Sequence, residues 1–242
     1  MNTKNRTIRK NAFRFLIVFL VKVVATTGAF AQTIPLYKNS RAPINERVKD
    51  LLGRMTPTEK FWQLFMIPGD IKPGEAYKYK DGLFGFQVSA ASAGAEGAQQ
   101  MLQYNATETA VSLAKKVNAI QRFFMDSTRL GIPMLPFDEA LHGLVRQGST
   151  IFPQSIGLAA TFNTSTMEAV AGAIAKESKI RGIRQILSPV INIATDVRWG
   201  RTEETYGEDP FLSSKMGVAY MKTLEDENII ATPKHFVANV GE

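Results

Sequence analysis

Apolar positions along the chain follow helical spacing in some stretches and continuous runs in others. Val48, Leu51, Leu52 and Met55 are three or four residues apart, which is the spacing of one helical face. The same spacing predicts two longer helices, one through Ala110, Leu113, Val117, Ile120 and Phe124 and one through Met167, Val170, Ala171, Ile174 and Ala175. The chain is therefore predicted to contain several amphipathic helices.

Capping residues set the predicted ends of these and other helices. Thr56, Pro57 and Glu59 form the sequence of a capping box with proline at the first helical position, so a short helix is predicted over residues 60–66. Gly182 is expected to end the helix through Met167. Asp209 and Pro210 predict the start of a last helix that runs to about residue 224.

Continuous apolar runs between the helices predict buried strands. They lie at Leu83–Val88, Ile132–Phe137, Ile186–Ile193 and Ile229–Phe236. Pro233 falls inside the last run, where it removes a backbone donor from the ladder, so we expect it to mark the exit of that strand. Buried strands that alternate with amphipathic helices predict an α/β fold with a parallel sheet.

Polar side chains collect where the predicted strands end. Glu139, the segment 198–209 and the pair Lys234-His235 each follow an apolar run. Charged groups at the carboxyl ends of several strands are typical of the mouth of an α/β barrel. We find no Gly-x-Gly-x-x-Gly run after a strand and no Walker-type loop, so the sequence lacks the fingerprints of dinucleotide and nucleotide binding.

The positive charge of the chain is concentrated at its N-terminus. All six charged residues among the first 31 are basic, and their removal lowers the formal charge from +7 to about +1, which argues against nucleic acid as a partner. The apolar run Phe15–Ala25, interrupted by Lys22, and the small residues around Ala31 predict a signal peptide over residues 1–31 and an exported mature chain. A membrane anchor is the alternative, although the run is short for a span of about 20 residues.

The chain has no cysteine, so disulfides and thiolate metal sites are excluded. Two histidines without a ligand-spaced partner give little support for a metal site, and we expect neither a metal nor a cofactor. Two Asn-x-Ser/Thr matches, at residues 105–107 and 163–165, are too unspecific to count as glycosylation sites.

The segment Asp196–Pro210 has the composition of a sugar-binding loop. Two arginines, five carboxylates, a Trp and a Tyr lie within it. Sugars are bound by planar groups that form paired hydrogen bonds with neighbouring hydroxyls. One arginine would bind hydroxyls or a carboxylate, and the other would pair with Glu203, Glu204 or Glu208. A salt-bridged loop without a ligand remains the alternative.

Two further pairs of neighbouring residues are candidates for the same ligand. Lys234 and His235 would be adjacent donors at a strand end, although an ordinary loop pair is the alternative. Asp138 and Glu139 would accept from sugar hydroxyls. Because successive side chains that leave a strand diverge, at most one of these two carboxylates is expected to face the mouth.

Taken together, these segments resemble glycoside hydrolase family 3, the β-glucosidase and β-xylosidase group. The resembling segments occur in the family's order over residues 45–242: Arg47–Thr56 with Glu59-Lys60, Gly131–Met134, Glu139-Ala-Leu-His-Gly143, Thr150–Pro153 with Gly157–Ala159, Ser188–Val190, Arg198–Pro210 and Lys234–Phe236. The resemblance implies that residues 32–242 are part of an N-terminal barrel domain, an incomplete (β/α)8 TIM-type barrel. It also implies retaining hydrolysis of β-linked glycosides or oligosaccharides.

Residue by residue, the resemblance places sugar-binding roles on Glu139, Arg201, Lys234 and His235. These residues would hold the ring in subsite −1 without reacting with it. Orientation and hydrogen bonding of this kind can contribute several kcal/mol to catalysis. The family's N-acetylglucosamine-cleaving branch has a second His soon after its Lys-His-Phe run. Here Val237-Ala-Asn-Val240 follows instead, which argues against that branch.

The resemblance places no catalytic residue in this chain. In the family the nucleophilic Asp lies on a later barrel strand and the acid/base later still, so both are expected beyond Glu242. The chain that remains after signal removal is also shorter than the roughly 250 residues of a full barrel. We therefore expect a truncated product that has no glycosidase activity alone. Two alternatives remain, a sugar-binding protein without hydrolysis and a poorly folded fragment with exposed strand edges.

Overall fold

The computed structural model describes residues 34–88 and 108–236, and the chain divides into two compact units between Arg54 and Met55. The predicted signal peptide and the Asn-x-Thr match at residues 105–107 lie outside the described residues. The first unit contains a 3-10 turn at Leu36–Lys38 and helix α1, Ile44–Arg54. Within it, Asp50 accepts a hydrogen bond from the Tyr37 amide at 3.1 Å and pairs with Arg54.

The second unit alternates strands with helices. Its described elements are α2 (Pro57–Trp62), β1 (Met66–Pro68), β2 (Gly85–Gln87), α3 (Ala110–Ser127), β3 (Leu135–Asp138), α4 (Ser155–Ala159), α5 (Thr164–Ile180), β4 (Gln185–Ile186), α6 (Pro210–Asp226) and β5 (Ile230–Ala231). Short 3-10 turns lie at Ala76–Tyr79 and Thr202–Glu204.

The strands form one parallel sheet whose spatial order follows the chain, β1-β2-β3-β4-β5. Each neighbouring pair is parallel. Parallel strands that neighbour one another in chain order, with helices between them, are the arrangement of a (β/α) barrel. The fold class predicted from the sequence, an α/β barrel of the TIM type, is therefore confirmed, with five strands in the described residues.

The predicted helix ends are confirmed where capping residues define them. The Thr56 side chain accepts from the Glu59 amide, and Glu59 accepts in return from the Thr56 amide, which completes the capping box. Asp209 accepts from the amides of Phe211 and Leu212 at the start of α6. Helix α5 ends just before Gly182, whose φ of +86° favours glycine.

The strands are shorter than the apolar runs that predicted them. Strand β4 is Gln185–Ile186, so the run 186–193 contributes only Ile186 to it, and the run 229–236 contributes only Ile230–Ala231 to β5. Pairing continues irregularly beyond β5, because Pro233 has no amide to donate. Val190 forms a bridge with Lys234, whose amide donates to Pro189 at 2.9 Å. The expectation that Pro233 marks the exit of the last strand agrees with this geometry.

One prediction was wrong at the start of the second unit. A helix was expected over residues 60–66, but α2 ends at Trp62 and Met66 begins strand β1, paired with Gly85. The apolar residues between Phe61 and Met66 fit both a helix and an edge strand, so their pattern does not separate the two. Gly85, the partner of Met66 in strand β2, has to be a glycine because a Cβ there would lie 2.3 Å from the Leu135 carbonyl oxygen of β3.

The core lies between the sheet and helices α3, α5 and α6. Its largest fully buried side chains are Tyr206, Tyr220, Phe86, Phe124, Leu83, Leu113, Leu144, Met167, Ile174, Ile183, Ile186 and Met216. The predicted apolar faces of α3 and α5 are both part of this core. Burial of these faces fixes the helices against the sheet, and it thereby fixes the strand ends that carry the polar side chains.

Candidate functional site

Two neighbouring carboxylates at the end of β3 have different environments. Asp138, the last residue of β3, is fully buried. It is paired with Arg146 at 3.3 Å, accepts from Gln87 at 3.4 Å, and accepts from the Glu139 amide at 2.9 Å. Burial raises the pKa of Asp138, and the Arg146 guanidinium acts against that rise. This carboxylate is therefore part of the interior.

Glu139 instead reaches the open end of the sheet. Both of its carboxylate oxygens accept from Lys234 Nζ at 2.9 Å, and 23% of its side chain is exposed. Burial raises the pKa of Glu139, while the neighbouring Lys234 ammonium opposes this. The expectation that only one of the two carboxylates faces the mouth agrees with this arrangement.

The loop after Glu139 is held by contacts with other parts of the second unit. The Tyr220 hydroxyl on α6 donates to the Ala140 carbonyl at 2.6 Å, and both residues are buried. Gly143 has a φ of +124°, and a Cβ there would lie 2.3 Å from the Thr150 carbonyl oxygen. His142 Nδ1 lies 2.8 Å from the Phe152 carbonyl oxygen. The segment Glu139-Ala-Leu-His-Gly143 is thus fixed by three separate backbone constraints.

Arg201 lies in the loop between β4 and α6, immediately before the 3-10 turn Thr202–Glu204. Its guanidinium forms a two-pronged pair with Glu204, with Nε–Oε1 and Nη2–Oε2 distances of 2.7 Å. This carboxylate raises the pKa of Arg201 and keeps the charge in place. The Arg201 side chain is 35% exposed.

Arg198 does not share this environment. One of the two arginines was expected to pair with Glu203, Glu204 or Glu208, and Arg201 is the one that does so. The 88% exposed Arg198 pairs with Asp196, two residues before it. Glu204 pairs with Arg201 instead, because the 3-10 turn brings positions 201 and 204 to the same side.

His235 follows Lys234 and connects the site to the β4 loop. Its backbone amide and its Nδ1 each lie 3.0 Å from Asn192 Oδ1, and its Nε2 lies 3.1 Å from Arg201 Nη1. Burial lowers the pKa of His235, and the cations Arg201 and Lys234 lower it further. The peptide bond between Lys234 and His235 is cis.

The four predicted residues therefore lie together. Lys234 binds Glu139, His235 contacts Arg201, and the carboxylate of Glu139 is close enough to Arg201 to contribute to its raised pKa. The carboxyl ends of parallel strands meet at one edge, which explains how residues about 95 positions apart become neighbours. The cluster offers donors, acceptors and a planar cation within one polar surface.

Two partners of the candidate residues were not singled out by the sequence. Asn192 is the one polar residue of the run Val190–Ile193, so its position among apolar neighbours was the available signal. Arg146 lies in a loop without periodicity, and nothing in the sequence connects it to Asp138. Within residues 34–88 and 108–236 there is no group of three His, Asp or Glu side chains suited to a metal ion. No helix in those ranges is long and apolar enough to cross a membrane.

Residues 58–242 match the model of the glycosyl hydrolase family 3 N-terminal domain. The chain belongs to this family. A β-glucosidase from Erythrobacter marinus has a similar structure, with a TM-score of 0.69 and 30% identity over 83% of this chain and 26% of that one. This similarity agrees with the barrel-type fold.

Curated relatives match the same region. The chain is 30% identical to β-glucosidase C of Emericella nidulans over 84% of its own length and 34% of that protein. It is 38% identical to a β-xylosidase of Formosa agariphila over 52% of its length and 20% of that protein. The chain therefore spans between a fifth and about a third of these relatives.

Proposed function

We propose that this chain supplies the sugar-binding groups of a β-glycosidase that acts on glucosides or xylosides. The observation that carries the proposal is the convergence of Glu139, Arg201, Lys234 and His235 at one edge of the sheet. These are the residues to which the family resemblance assigns subsite −1. The β-glucosidase and β-xylosidase names of the relatives support the substrate class.

The chemistry of the cluster suits neighbouring hydroxyls on one ring. Lys234 donates through an ammonium that has three protons, while Glu139 only accepts once it is ionised. Arg201 adds a planar guanidinium that is held by Glu204. Because these side chains are already held by protein partners, little ordering remains to be done when a sugar binds. A ring fixed in this way is also oriented for attack on its anomeric carbon.

We propose retaining hydrolysis as the reaction, with reacting carboxylates other than those described here. Retention needs a nucleophile and an acid/base with carboxyl groups about 5 Å apart. In the described part of the cluster, Glu139 is engaged by Lys234 and Glu204 by Arg201. We assign both of them to binding, because the family resemblance gives neither a reacting role. We therefore expect the 242-residue chain to bind sugar without turning over a β-glucoside.

Calorimetric titration with glucose tests the binding role. The wild-type chain and Arg198→Ala should release the same heat, whereas Arg201→Ala should bind at least about tenfold more weakly, since hydrogen bonds to charged groups contribute about 1.5–3 kcal/mol. Arg198 is a matched control because it is three residues away and exposed. Equal affinity of the Arg201→Ala variant and the wild type would remove the proposed site.

A chromogenic β-glucoside assay on the same pure chain tests the second part. No turnover above a buffer blank is expected. Turnover that is lost in Glu139→Gln would instead show that the chain contains a complete active site. If a longer product that contains this chain bound sugar but never hydrolysed a β-glycoside, the alternative of a non-catalytic sugar-binding protein would be correct.

We also propose export, because basic, apolar and small residues follow one another over residues 1–31. Mass spectrometry of the protein recovered outside the cytoplasm should give an N-terminus at Gln32. Recovery of the intact N-terminus in the membrane fraction would favour the anchor.

A further inference from the structure

Asn192 makes two contacts with one neighbouring residue through a single atom. Its Oδ1 lies 3.0 Å from the backbone nitrogen of His235 and 3.0 Å from Nδ1 of the same residue. Asn192 belongs to the segment after β4, and His235 follows β5. The carboxamide therefore connects two strand ends of the site, and it contacts the imidazole at Nδ1, on the opposite side of the ring from the Arg201 contact.

Donor and acceptor rules determine which atom of Asn192 this is. A backbone N–H can only donate, so the atom that faces the His235 amide must be the carboxamide oxygen and not the nitrogen. The same oxygen lies within hydrogen-bond distance of Nδ1. Because an oxygen without hydrogen cannot donate, Nδ1 must carry the proton of that contact.

The opposite side of the ring gives an independent result. Arg201 Nη1 lies 3.1 Å from His235 Nε2, and a guanidinium has only donors. Nε2 must therefore be bare and accept from Arg201. The charges around the ring agree, since burial and the cations Arg201 and Lys234 disfavour the imidazolium, although Glu204 acts against them. Both sides require a neutral ring protonated on Nδ1.

We propose that Asn192 is a positioning residue that holds His235 in its neutral Nδ1–H tautomer and thereby presents Nε2 as a hydrogen-bond acceptor. For the sugar, which depends on the proposed function, this gives Lys234 and His235 opposite roles. Lys234 donates to a hydroxyl, whereas the one lone pair of Nε2 accepts from Arg201 Nη1 and so fixes the guanidinium beside the sugar. The sequence-based expectation of two adjacent donors is replaced by a donor beside an acceptor.

The tautomer can be observed directly because the chain has two histidines. In the full chain labelled with ¹⁵N-histidine, two-bond proton–nitrogen spectra distinguish a protonated from a bare ring nitrogen. A His235→Gln variant identifies which signals belong to His235. At neutral pH the His235 signals should show a protonated Nδ1 and a bare Nε2. A bare Nδ1, or two protonated nitrogens, would overturn the proposal.

Two variants of Asn192 separate positioning from simple packing. Asn192→Leu keeps the size but removes the acceptor, so His235 should shift towards the Nε2–H form. Asn192→Asp keeps the oxygen and adds a charge, so Nδ1 should stay protonated and the ring should remain doubly protonated to a higher pH than in the wild type. A side chain that only packs would leave the tautomer unchanged in the Leu variant, and that result contradicts the proposal. If the Leu variant does not fold, an Asp variant with the wild-type titration contradicts it equally.

Glucose affinity then tests the consequence for the site. Asn192→Leu should weaken binding about tenfold, as expected for the loss of one oriented hydrogen bond, while Asn192→Asp should weaken it less. One outcome is that neither the wild type nor the variants bind glucose while the tautomer of His235 is as predicted. In that case the proposed function fails and the positioning role of Asn192 remains. If the tautomer differs from the prediction while glucose binds, the positioning role of Asn192 fails and the proposed function remains.

Discussion

Asp138 and Glu139 are adjacent carboxylates, each paired with a cation, yet they serve different regions of the molecule. Asp138 and Arg146 form an interior pair in which the carboxylate is fully buried and the arginine side chain is 9% exposed. Glu139 and Lys234 form a mouth pair in which the exposures are 23% and 14%. The interior pair contacts backbone and Gln87, whereas the mouth pair remains accessible to a ligand.

The difference shows how one strand end can combine rigidity with binding. An interior pair costs desolvation and is strongly destabilising when one partner is removed, because the other charge remains buried. A partly exposed pair tolerates the loss of a partner better, since water can reach the remaining charge. The interior pair should therefore control stability, and the mouth pair should control ligand affinity.

The largest effect is expected from removal of the interior carboxylate. Asp138→Ala leaves the Arg146 charge without its counter-ion and should lower the free energy of unfolding by about 3–5 kcal/mol. Urea denaturation of the full chain measures the loss, with Glu139→Ala as the matched control at the next position. Equal losses in the two variants would show that the two pairs do not differ.

The mouth pair should respond in affinity. Glu139→Gln keeps the shape but removes the charge, so glucose should bind about 10–100-fold more weakly, in line with the strength of hydrogen bonds to charged groups. The urea midpoint should move little. Calorimetry and urea denaturation of the Glu139→Gln variant measure the two effects. A large loss of stability with unchanged glucose affinity would show that the mouth pair controls stability and not ligand affinity.

A lower pH should weaken glucose binding in the same way as the Glu139→Gln substitution. Because burial raises the pKa of Glu139, its carboxylate takes up a proton at a higher pH than a free glutamate does. A protonated carboxyl no longer pairs with Lys234 as an anion, so glucose affinity should fall as the pH falls through that raised pKa. Titrations over a pH series measure this. The Glu139→Gln variant, which cannot take up the proton, should lack this component, and an identical pH profile in both proteins would contradict it.

A smaller effect is expected behind the mouth. Tyr220→Phe removes the hydroxyl that donates to Ala140 but retains the packing of the ring. The unfolding free energy should fall by about 1 kcal/mol, and thermal unfolding measures it. Glucose affinity should fall as well if this bond positions Glu139. A loss of stability with unchanged affinity would confine Tyr220 to the interior.

The smallest effect is expected at the exposed pair beside the site. Arg198→Ala breaks only the surface contact with Asp196, so neither the urea midpoint nor glucose affinity should change measurably. The same measurements on Arg201→Ala provide the contrast. A clear loss of glucose affinity in Arg198→Ala would show that the ligand binds beside Arg198 and not beside Arg201.

The sequence predicted the parts of the fold that local chemistry determines. Capping residues such as Thr56 and Asp209 define helix starts because their side chains bond to the next amides, and this needs no distant partner. Strand lengths were overestimated because apolar runs such as 186–193 continue past the last ladder bond. Strand β1 was missed because its pairing with β2 depends on Gly85, which is about twenty residues away.

For the candidate site, too, the sequence predicted the residues but not their contacts. The family motifs identified Glu139, Arg201, Lys234 and His235 together. Their mutual contacts depend on which strand ends meet, and the sequence does not give that geometry. The partner of Arg201 could not be chosen among three nearby glutamates, because only the 3-10 turn selects Glu204. Asn192 acts through a contact over 43 positions, and its place among apolar neighbours does not indicate which distant residue it contacts.

A crystal structure of the full chain with glucose would test the shared site most directly. It should show one ring whose neighbouring hydroxyls lie about 3 Å from Lys234 Nζ and a Glu139 oxygen, with Arg201 on the same ring and His235 Nε2 still accepting from Arg201. A ring bound elsewhere on the chain, or one that contacts Arg198 and not Arg201, would contradict the proposed site.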